Sequence, residues 1–383
     1  MDERTAGFVD AFRVFLEEVV QSERTTSPAG AEALLPRLEA HLGRDPRGLP
    51  VVTDDVPSHL FVNLDVALSA IQERSGDSTL IGVGGGDQRR HNSLSEILEF
   101  AGRFGHFPIG TVDYVNLATG PDETRQAVSF GLRLFAVDGA PVAVLQRGPN
   151  PQFGPAVAQM EVLTPAEGVA ATLIAAVHEE MTRRSVFRGQ VLSLGGSDYD
   201  AGVGGVTFRR RPALTVDDIV LPAGVLERVQ RHVAGVAHHR DRLRAAGQHL
   251  KRGLLLYGPP GTGKTHTVRY LTSSLIGTTV IQLTGSALHL IAEACSVARA
   301  LQPAMLVIED VDLIAEDRGM HPGRHPLLFQ LLNEMDGWPR TSTWCSCSRP
   351  TARTSSSPLS PRARAGWTRR SSSTSRTPRP GPA

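Results

Sequence analysis

Apolar residues in the first part of the chain recur mainly with a helical period. Residues 7–20, "GFVDAFRVFLEEVV", and residues 59–74, "HLFVNLDVALSAIQER", place apolar side chains three or four positions apart, which is typical of amphipathic helices. Residues 27–50 between them are rich in Pro and Gly and are predicted to form a loop.

The period changes near residue 130. Residues 129–148, "SFGLRLFAVDGAPVAVLQRG", are two apolar runs joined by Asp138 and Gly139, which is a strong signal for a β-hairpin. Residues 165–184 then predict a helix, and residues 186–194, "VFRGQVLSL", predict a strand. The first 200 or so residues are therefore expected to form an α+β domain.

A Gly-rich and then basic stretch, residues 195–212, is the best candidate for a linker. After a helix-rich approach over residues 215–247, short apolar strands alternate with helices, which indicates a parallel α/β sheet. We thus predict an N-terminal α+β domain for partner binding over 1–205 and an α/β domain over 206–340. Residues 341–383 form an Arg, Ser, Thr and Pro tail.

Composition narrows the class of protein. The chain has 383 residues, 40% of them hydrophobic and 21% charged, which is typical of a globular protein. A formal net charge of +1 favours neither nucleic acid nor an anionic membrane as a partner. The longest apolar stretch, residues 169–177, is too short to span a bilayer. With only three cysteines and no secretory segment at the start, we expect a cytoplasmic protein without a disulfide framework.

Residues 258–265, "GPPGTGKT", match the P-loop pattern and stand between a predicted strand, 253–257, and a predicted helix, 265–275. Its glycines let the backbone wrap closely around phosphate oxygens, and the helix N-terminus faces their negative charge. Lys264 is expected to neutralise the β- and γ-phosphates, and Thr265 to bind Mg²⁺ through its hydroxyl. The predicted nucleotide-binding residues are Gly258, Pro259, Pro260, Gly261, Thr262, Gly263, Lys264, Thr265 and His266.

About forty residues further on, residues 304–312, "AMLVIEDVD", form an apolar run that ends in carboxylates. A buried strand delivering acids at its C-terminal edge beside a P-loop places them where Mg²⁺ and an attacking water are needed. We predict that Glu309 holds the metal or its water and that Asp310 orients the nucleophilic water. Lys264, Glu309 and Asp310 are thus the predicted catalytic residues.

Taken together, "GPPGTGKT", "MLVIEDVD" and "LLNEMDG" (residues 331–337) resemble the Walker A, Walker B and second-homology segments of the AAA ATPase family. The lead-in over residues 215–257 is also similar to that family. The resemblance covers roughly residues 210–338. It implies a P-loop NTPase sheet, hydrolysis of ATP with Mg²⁺, assembly as a ring that is usually a hexamer, and force applied to a protein client.

Three departures from the family pattern are visible. The carboxylates stand in the order Glu309-Asp310, whereas the family usually has Asp-Glu. Residues 286–301 lack the aromatic, hydrophobic and Gly loop with which threading members grip a polypeptide. After Trp338 the chain has no sensor asparagine, arginine finger or helical lid, so the predicted ATPase core is incomplete.

The tail has two interpretations. As a polypeptide rich in Arg, Ser, Thr and Pro it cannot bury a core and is expected to be disordered. Back-translation with a shift of one base, however, permits a segment resembling the family's fourth strand with its asparagine, followed by its arginine-finger segment. We therefore hypothesise a frameshift near Arg340, which DNA without such an alternative frame would contradict.

Other features receive structural interpretations. His232, His238 and His239 lack acidic partners at metal-ligand spacing, so a metal site is not expected there. Residues 82–87 are expected to form a flexible loop. Residues 208–212, "FRRRP", are expected to form a solvated linker. Two functional alternatives to an ATPase stay open. One is a nucleotide-gated binding module without turnover, and the other is a non-functional frameshift product.

Overall fold

The computed structural model describes residues 33–150, 156–195, 205–247, 253–259 and 261–309. The predicted helix at 7–20, residues 331–337 and the tail lie outside them. The helices are α1 (Leu34–Leu42), α2 (Phe61–Arg74), α3 (Leu94–Phe104), α4 (Val169–Arg183), α5 (Val225–His238), α6 (Arg240–Ala245), α7 (Lys264–Ser274) and α8 (Ile291–Ala300). The strands are β1 (Val51–Val56), β2 (Thr79–Val83), β3 (Ile109–Gly110), β4 (Asp113–Ala118), β5 (Thr124–Val137), β6 (Ala140–Arg147), β7 (Ala158–Leu163), β8 (Val191–Leu194), β9 (Val206–Arg209), β10 (Thr279–Leu283) and β11 (Ala304–Ile308).

The first sheet has seven antiparallel strands in the order β1-β7-β6-β5-β2-β3, with β4 also paired to β5. The predicted hairpin is confirmed, because Val137 pairs with Ala140 and the two residues between them form the turn. Asp138 (φ 49°) and Gly139 (φ 82°) both have positive φ, as a two-residue hairpin turn of this hand requires.

Helices cover this sheet. In α1, Leu34, Leu38 and Leu42 recur every four residues and are buried, and they pack with α3 and one set of strand residues in a single apolar cluster. This helix lies within residues 27–50, where a loop was expected, so that prediction was wrong. Only three leucines carry the helical pattern, so the local signal is weak, and burial of this one apolar face in the tertiary structure stabilises the helix.

The predicted helices at 59–74 and 165–184 are confirmed as α2 and α4. Both contribute to a second apolar cluster with other strand residues of the seven-stranded sheet. The same cluster contains residues of α8, β10 and β11, among them Ile291, Ile281 and Leu306. The N-terminal α+β part and the P-loop region therefore share one hydrophobic core.

The second sheet has the order β11-β10-β8-β9. β11, β10 and β8 are parallel, and β9 is antiparallel to β8. The expected fold class, a parallel α/β sheet preceded by an α+β part, is confirmed. The predicted linker, however, contains β9 in the part that the structure describes, because the backbone of Val206–Arg209 is hydrogen-bonded to β8. The predicted division at residue 205 falls between these two paired strands and stays a prediction.

Candidate functional site

The P-loop joins the segment 253–257 to α7 and adopts the backbone conformations that its glycines permit. Gly258 (φ 146°), Gly261 (φ 78°) and Gly263 (φ 83°) all have positive φ, which side chains with a Cβ rarely tolerate. Gly263 is the N-cap of α7, so the helix begins directly at Lys264. The loop therefore ends at a helix N-terminus, whose free N–H groups favour an anion.

Lys264 turns back over the loop. Its Nζ atom donates to the carbonyl oxygens of Gly258 and Pro259, each at 2.7 Å, and lies 3.4 Å from Oγ1 of Thr262. The Thr262 hydroxyl in turn donates to the Pro259 carbonyl at 2.9 Å. The ammonium charge is thus held at the loop, where the motif requires it. Pro260 lies outside the described residues.

The P-loop helix is anchored on the parallel sheet. The Thr267 hydroxyl, on a buried residue, donates to the Gly263 carbonyl at 3.0 Å, which closes the first turn of α7. Further along the helix, Val268 and Leu271 lie in one apolar cluster with Met305 and Val307 of β11. The predicted Walker A helix and Walker B strand are therefore packed together.

Glu309 stands at the carboxyl end of β11, a strand whose five residues are all buried. Its backbone N–H donates to the Leu283 carbonyl at 3.0 Å, so the pairing of β10 with β11 continues to this residue. The Glu309 side chain is only partly buried, as a group that meets a ligand must be. Asp310 lies outside the described residues.

The strand expected at residues 253–257 is not formed, so that prediction was wrong. The side chains nevertheless alternate: Leu254 and Leu256 pack against the α7 cluster, whereas Leu255 is 54% exposed and Tyr257 is 77% exposed. Strand structure needs a hydrogen-bonded neighbour, and none of the described strands pairs with this segment. The packing of Leu254 and Leu256 therefore positions this segment, although none of the described strands is hydrogen-bonded to it.

The lead-in to the P-loop region touches α7, a contact that sequence reasoning missed. His266 Nε2 lies 3.1 Å from the Asp218 carbonyl oxygen. The Asp218 carboxylate accepts from the Thr215 N–H at 2.8 Å and from its hydroxyl at 3.0 Å, and these hydrogen bonds lower the pKa of Asp218. A signal was present, since Thr215 and Asp218 have the spacing of a capping box.

Leu221 of the same lead-in also lies near the loop, with Cδ2 3.9 Å from the position a Cβ would take at Gly263. The next residue back, Val220, is 93% exposed. The start of the P-loop helix is thus flanked by a short apolar segment.

His232 of α5, singled out in the sequence, lies 2.9 Å from the Gly253 carbonyl oxygen through Nε2. It ties α5 to the segment that leads into the P-loop.

Comparison with known protein families finds a similarity in this region. Residues 254–359 match the family model described as "ATPase family associated with various cellular activities (AAA)". This part of the chain is similar to the AAA ATPase family. The match begins within the segment before the P-loop and continues past residue 338, where the resemblance in sequence was expected to end.

Curated AAA relatives are similar over a limited region. The 26S protease regulatory subunit 6A of Caenorhabditis elegans is 30% identical over 159 residues, which cover 37% of this chain and 36% of that protein. The ATP-dependent zinc metalloprotease FtsH 2 of Symbiobacterium thermophilum is 35% identical over 112 residues, covering 26% and 19%. This chain therefore spans about a third or less of the length of these relatives.

A solved structure of katanin, from work on its self-assembly, aligns with 36% of this chain and 47% of that chain, at 21% identity and a TM-score of 0.28. Among the described residues, no helix has both the length and the apolar character needed to cross a membrane.

Proposed function

We propose that this AAA chain binds Mg-ATP at the P-loop and that its family's ring-shaped assembly, usually a hexamer, uses the nucleotide to remodel a protein client. The observation that carries the proposal is the placement of the Lys264 ammonium, 2.7 Å from two loop carbonyls at the N-terminus of α7. A bound phosphate would replace these carbonyls as the partner of the ammonium. Nucleic acid and membrane have no part in this function, which we place in the cytoplasm.

The oxygen ligands in the motif fit Mg²⁺, which prefers carboxylate and hydroxyl oxygens. Thr265, in the first turn of α7, and Glu309, at the end of β11, would hold the ion, and Asp310 would orient the attacking water. When bound, Mg²⁺ neutralises charge on the phosphates during transfer. The remaining residues of the predicted set, Gly258 to His266, would surround the phosphates, with the lead-in near Leu221 beside them.

A second candidate function is a nucleotide-gated protein-binding module without turnover. It is favoured by the exposed side chains of Leu255 and Tyr257, which offer a hydrophobic contact surface beside the P-loop. An arginine finger contributes about 10³–10⁵ to the rate in the systems measured, and the sequence after Trp338 has none in the family's setting. We therefore propose that this chain binds nucleotide but hydrolyses it poorly, with its N-terminal part contacting the client.

The test measures nucleotide affinity with a fluorescent ATP analogue and turnover by phosphate release. Lys264→Ala is expected to weaken binding by about tenfold or more, because a charge-assisted hydrogen bond contributes about 1.5–3 kcal/mol. Arg269→Ala, which removes an exposed positive charge from the same helix, is the matched control and should bind like the unaltered protein.

Equal affinities of Lys264→Ala and the unaltered protein would contradict nucleotide binding at the P-loop. Phosphate release abolished by Lys264→Ala supports the enzyme, and binding without any release supports the gated module. Release equal to that of a version with the reading frame restored near Arg340 would refute impaired turnover.

A further inference from the structure

Arg211 lies in the basic stretch "FRRRP", just after β9, and is not the solvated linker residue that the sequence suggested. Its side chain is partly buried, and its guanidinium donates to four backbone carbonyls. Burial lowers the pKa of Arg211, although arginine remains charged in proteins. A guanidinium surrounded by carbonyl oxygens is a fixed structural contact, because several donors are oriented at once.

Two of these carbonyls belong to the C-terminal end of the P-loop helix α7. Nη1 donates to the Thr272 carbonyl and, at 3.1 Å, to the Leu275 carbonyl. The last carbonyls of a helix lack partners within it and carry partial negative charge, so a cation there is stabilising. Arg211 thus caps the end of α7 that is farthest from the P-loop.

The other two carbonyls belong to residues just before two strands of the parallel sheet. Nη2 donates to the Gly189 carbonyl, before β8, at 2.9 Å and to the Thr278 carbonyl, before β10, at 2.8 Å. β8 is the last strand of the predicted N-terminal α+β part, residues 1–205, whereas β10 belongs to the P-loop region. One guanidinium therefore joins the helix, the sheet and the end of the N-terminal part.

The backbone after Arg211 adds to the anchor. The Leu214 N–H donates to Oγ of Ser273 at 3.1 Å, and the Ser273 hydroxyl donates to the Leu214 carbonyl at 2.9 Å. Ser273 is in the last turn of α7. Two independent contacts therefore attach the segment after β9 to the same helix end.

We propose that Arg211 is a positioning residue for nucleotide binding: it holds the far end of α7 against β8 and β10 and thereby sets the orientation of the P-loop. α7 has 11 residues and is about 16 Å long, so Arg211 acts through the helix and not on the nucleotide. The inference rests on the proposed nucleotide binding at Lys264.

Arg210 supplies a matched control. It is the preceding residue and carries the same charge, but its guanidinium pairs with Asp122 at 2.5 Å in an exposed ion pair, with side chains 80% and 62% accessible. Exposed pairs contribute little. Arg210→Ala and Arg211→Ala therefore remove the same charge, and only the second releases α7.

The experiment compares these two variants and Arg211→Lys by amide hydrogen exchange without nucleotide and by the Kd of a fluorescent ADP analogue, referred to the folded fraction. Arg211→Ala is expected to speed exchange in the last turn of α7 and to raise Kd by about tenfold. Arg211→Lys should lie between the unaltered protein and Arg211→Ala in both measurements, because a single ammonium group cannot reach all four carbonyls that the two guanidinium nitrogens contact. Arg210→Ala should match the unaltered protein in both measurements.

Unchanged exchange in Arg211→Ala overturns the anchor, and faster exchange with an unchanged Kd overturns the positioning role. Where Arg211→Ala does not fold, Arg211→Lys decides by the same two measurements. If the unaltered protein binds no nucleotide, the proposed function fails and this role fails with it. If the unaltered protein and Arg211→Ala bind equally, only the present inference fails.

Discussion

The substitution Asp65→Asn is predicted to destabilise the N-terminal part strongly. The Asp65 side chain is on α2 and is buried, at 1% exposure for the residue. Oδ1 accepts from the Val128 N–H at 3.0 Å, from Arg133 Nη2 at 2.8 Å and from Gln146 Nε2 at 3.2 Å. Oδ2 accepts from Arg125 Nε at 2.8 Å. Asparagine has nearly the same shape but removes the charge and replaces one acceptor oxygen by a donor.

The size of this loss of stability follows from the burial of Arg133, the ion-pair partner of Asp65. Arg133 is 3% exposed, and burial lowers its pKa while Asp65 opposes that effect. Without the carboxylate its guanidinium charge stays in the core with only amide partners. Removing one member of a buried ion pair costs about 3–5 kcal/mol, so Asp65→Asn should lower the free energy of unfolding by about that amount.

Urea unfolding, followed by circular dichroism, measures this loss. Glu99→Gln is the control, because Glu99 pairs with Arg103 at the surface, with side chains 58% and 69% accessible, and should change stability by less than about 1 kcal/mol. A loss below about 1 kcal/mol for Asp65→Asn would refute the reasoning.

Two further predictions concern pH and packing. Hydrogen bonding by Arg183 and a second arginine, against the effect of burial, lowers the pKa of Glu180 to about 2 from 4.5. Its stabilising contribution is therefore complete above about pH 4.5 and is lost as the pH falls towards 2. Glu180→Gln should lower the midpoint temperature of thermal unfolding at pH 7. It should also reduce the decrease of that midpoint between about pH 4.5 and about pH 2, and a decrease as large as that of the unaltered protein would contradict this. In β2, a Cβ at Gly82 would come within 2.0 Å of the Thr111 backbone, whereas one at Gly48 meets nothing within 4 Å. Gly82→Ala should thus destabilise by about 1–3 kcal/mol or more and Gly48→Ala hardly at all, as urea midpoints will show; equal midpoints would be inconsistent with the close approach.

Elements with strong local signals were predicted well. The hairpin at Asp138 and Gly139 was recognisable because two adjacent residues supply its turn, and α2 and α4 because each carries its own apolar period. The helix α7 was recognisable because it follows the P-loop motif. Elements that depend on a partner were not. β9 forms because β8 pairs with it, and residues 253–257 remain without strand structure because no described strand pairs with them.

The candidate site divides in the same way. The conformation of the P-loop, with Lys264 and Thr265 in the first turn of α7, was readable from the motif, since a P-loop and its helix are formed by neighbours in the chain. The roles of these two residues remain predictions. The attachment of the lead-in through Asp218 to His266 was missed, because its participants are 48 positions apart. The roles of Glu309 and Asp310 remain predictions.

The sequence by itself determined the P-loop and the helix that follows it, because short-range backbone conformation and residue chemistry specify them. Only the tertiary structure decided that β8 lies beside β10 in the same sheet, that α2 and α8 share one core, and that Arg211 joins four carbonyls from three segments. These contacts connect residues tens to hundreds of positions apart. No local pattern encodes them, since they form only when separately folded elements bury their apolar faces together.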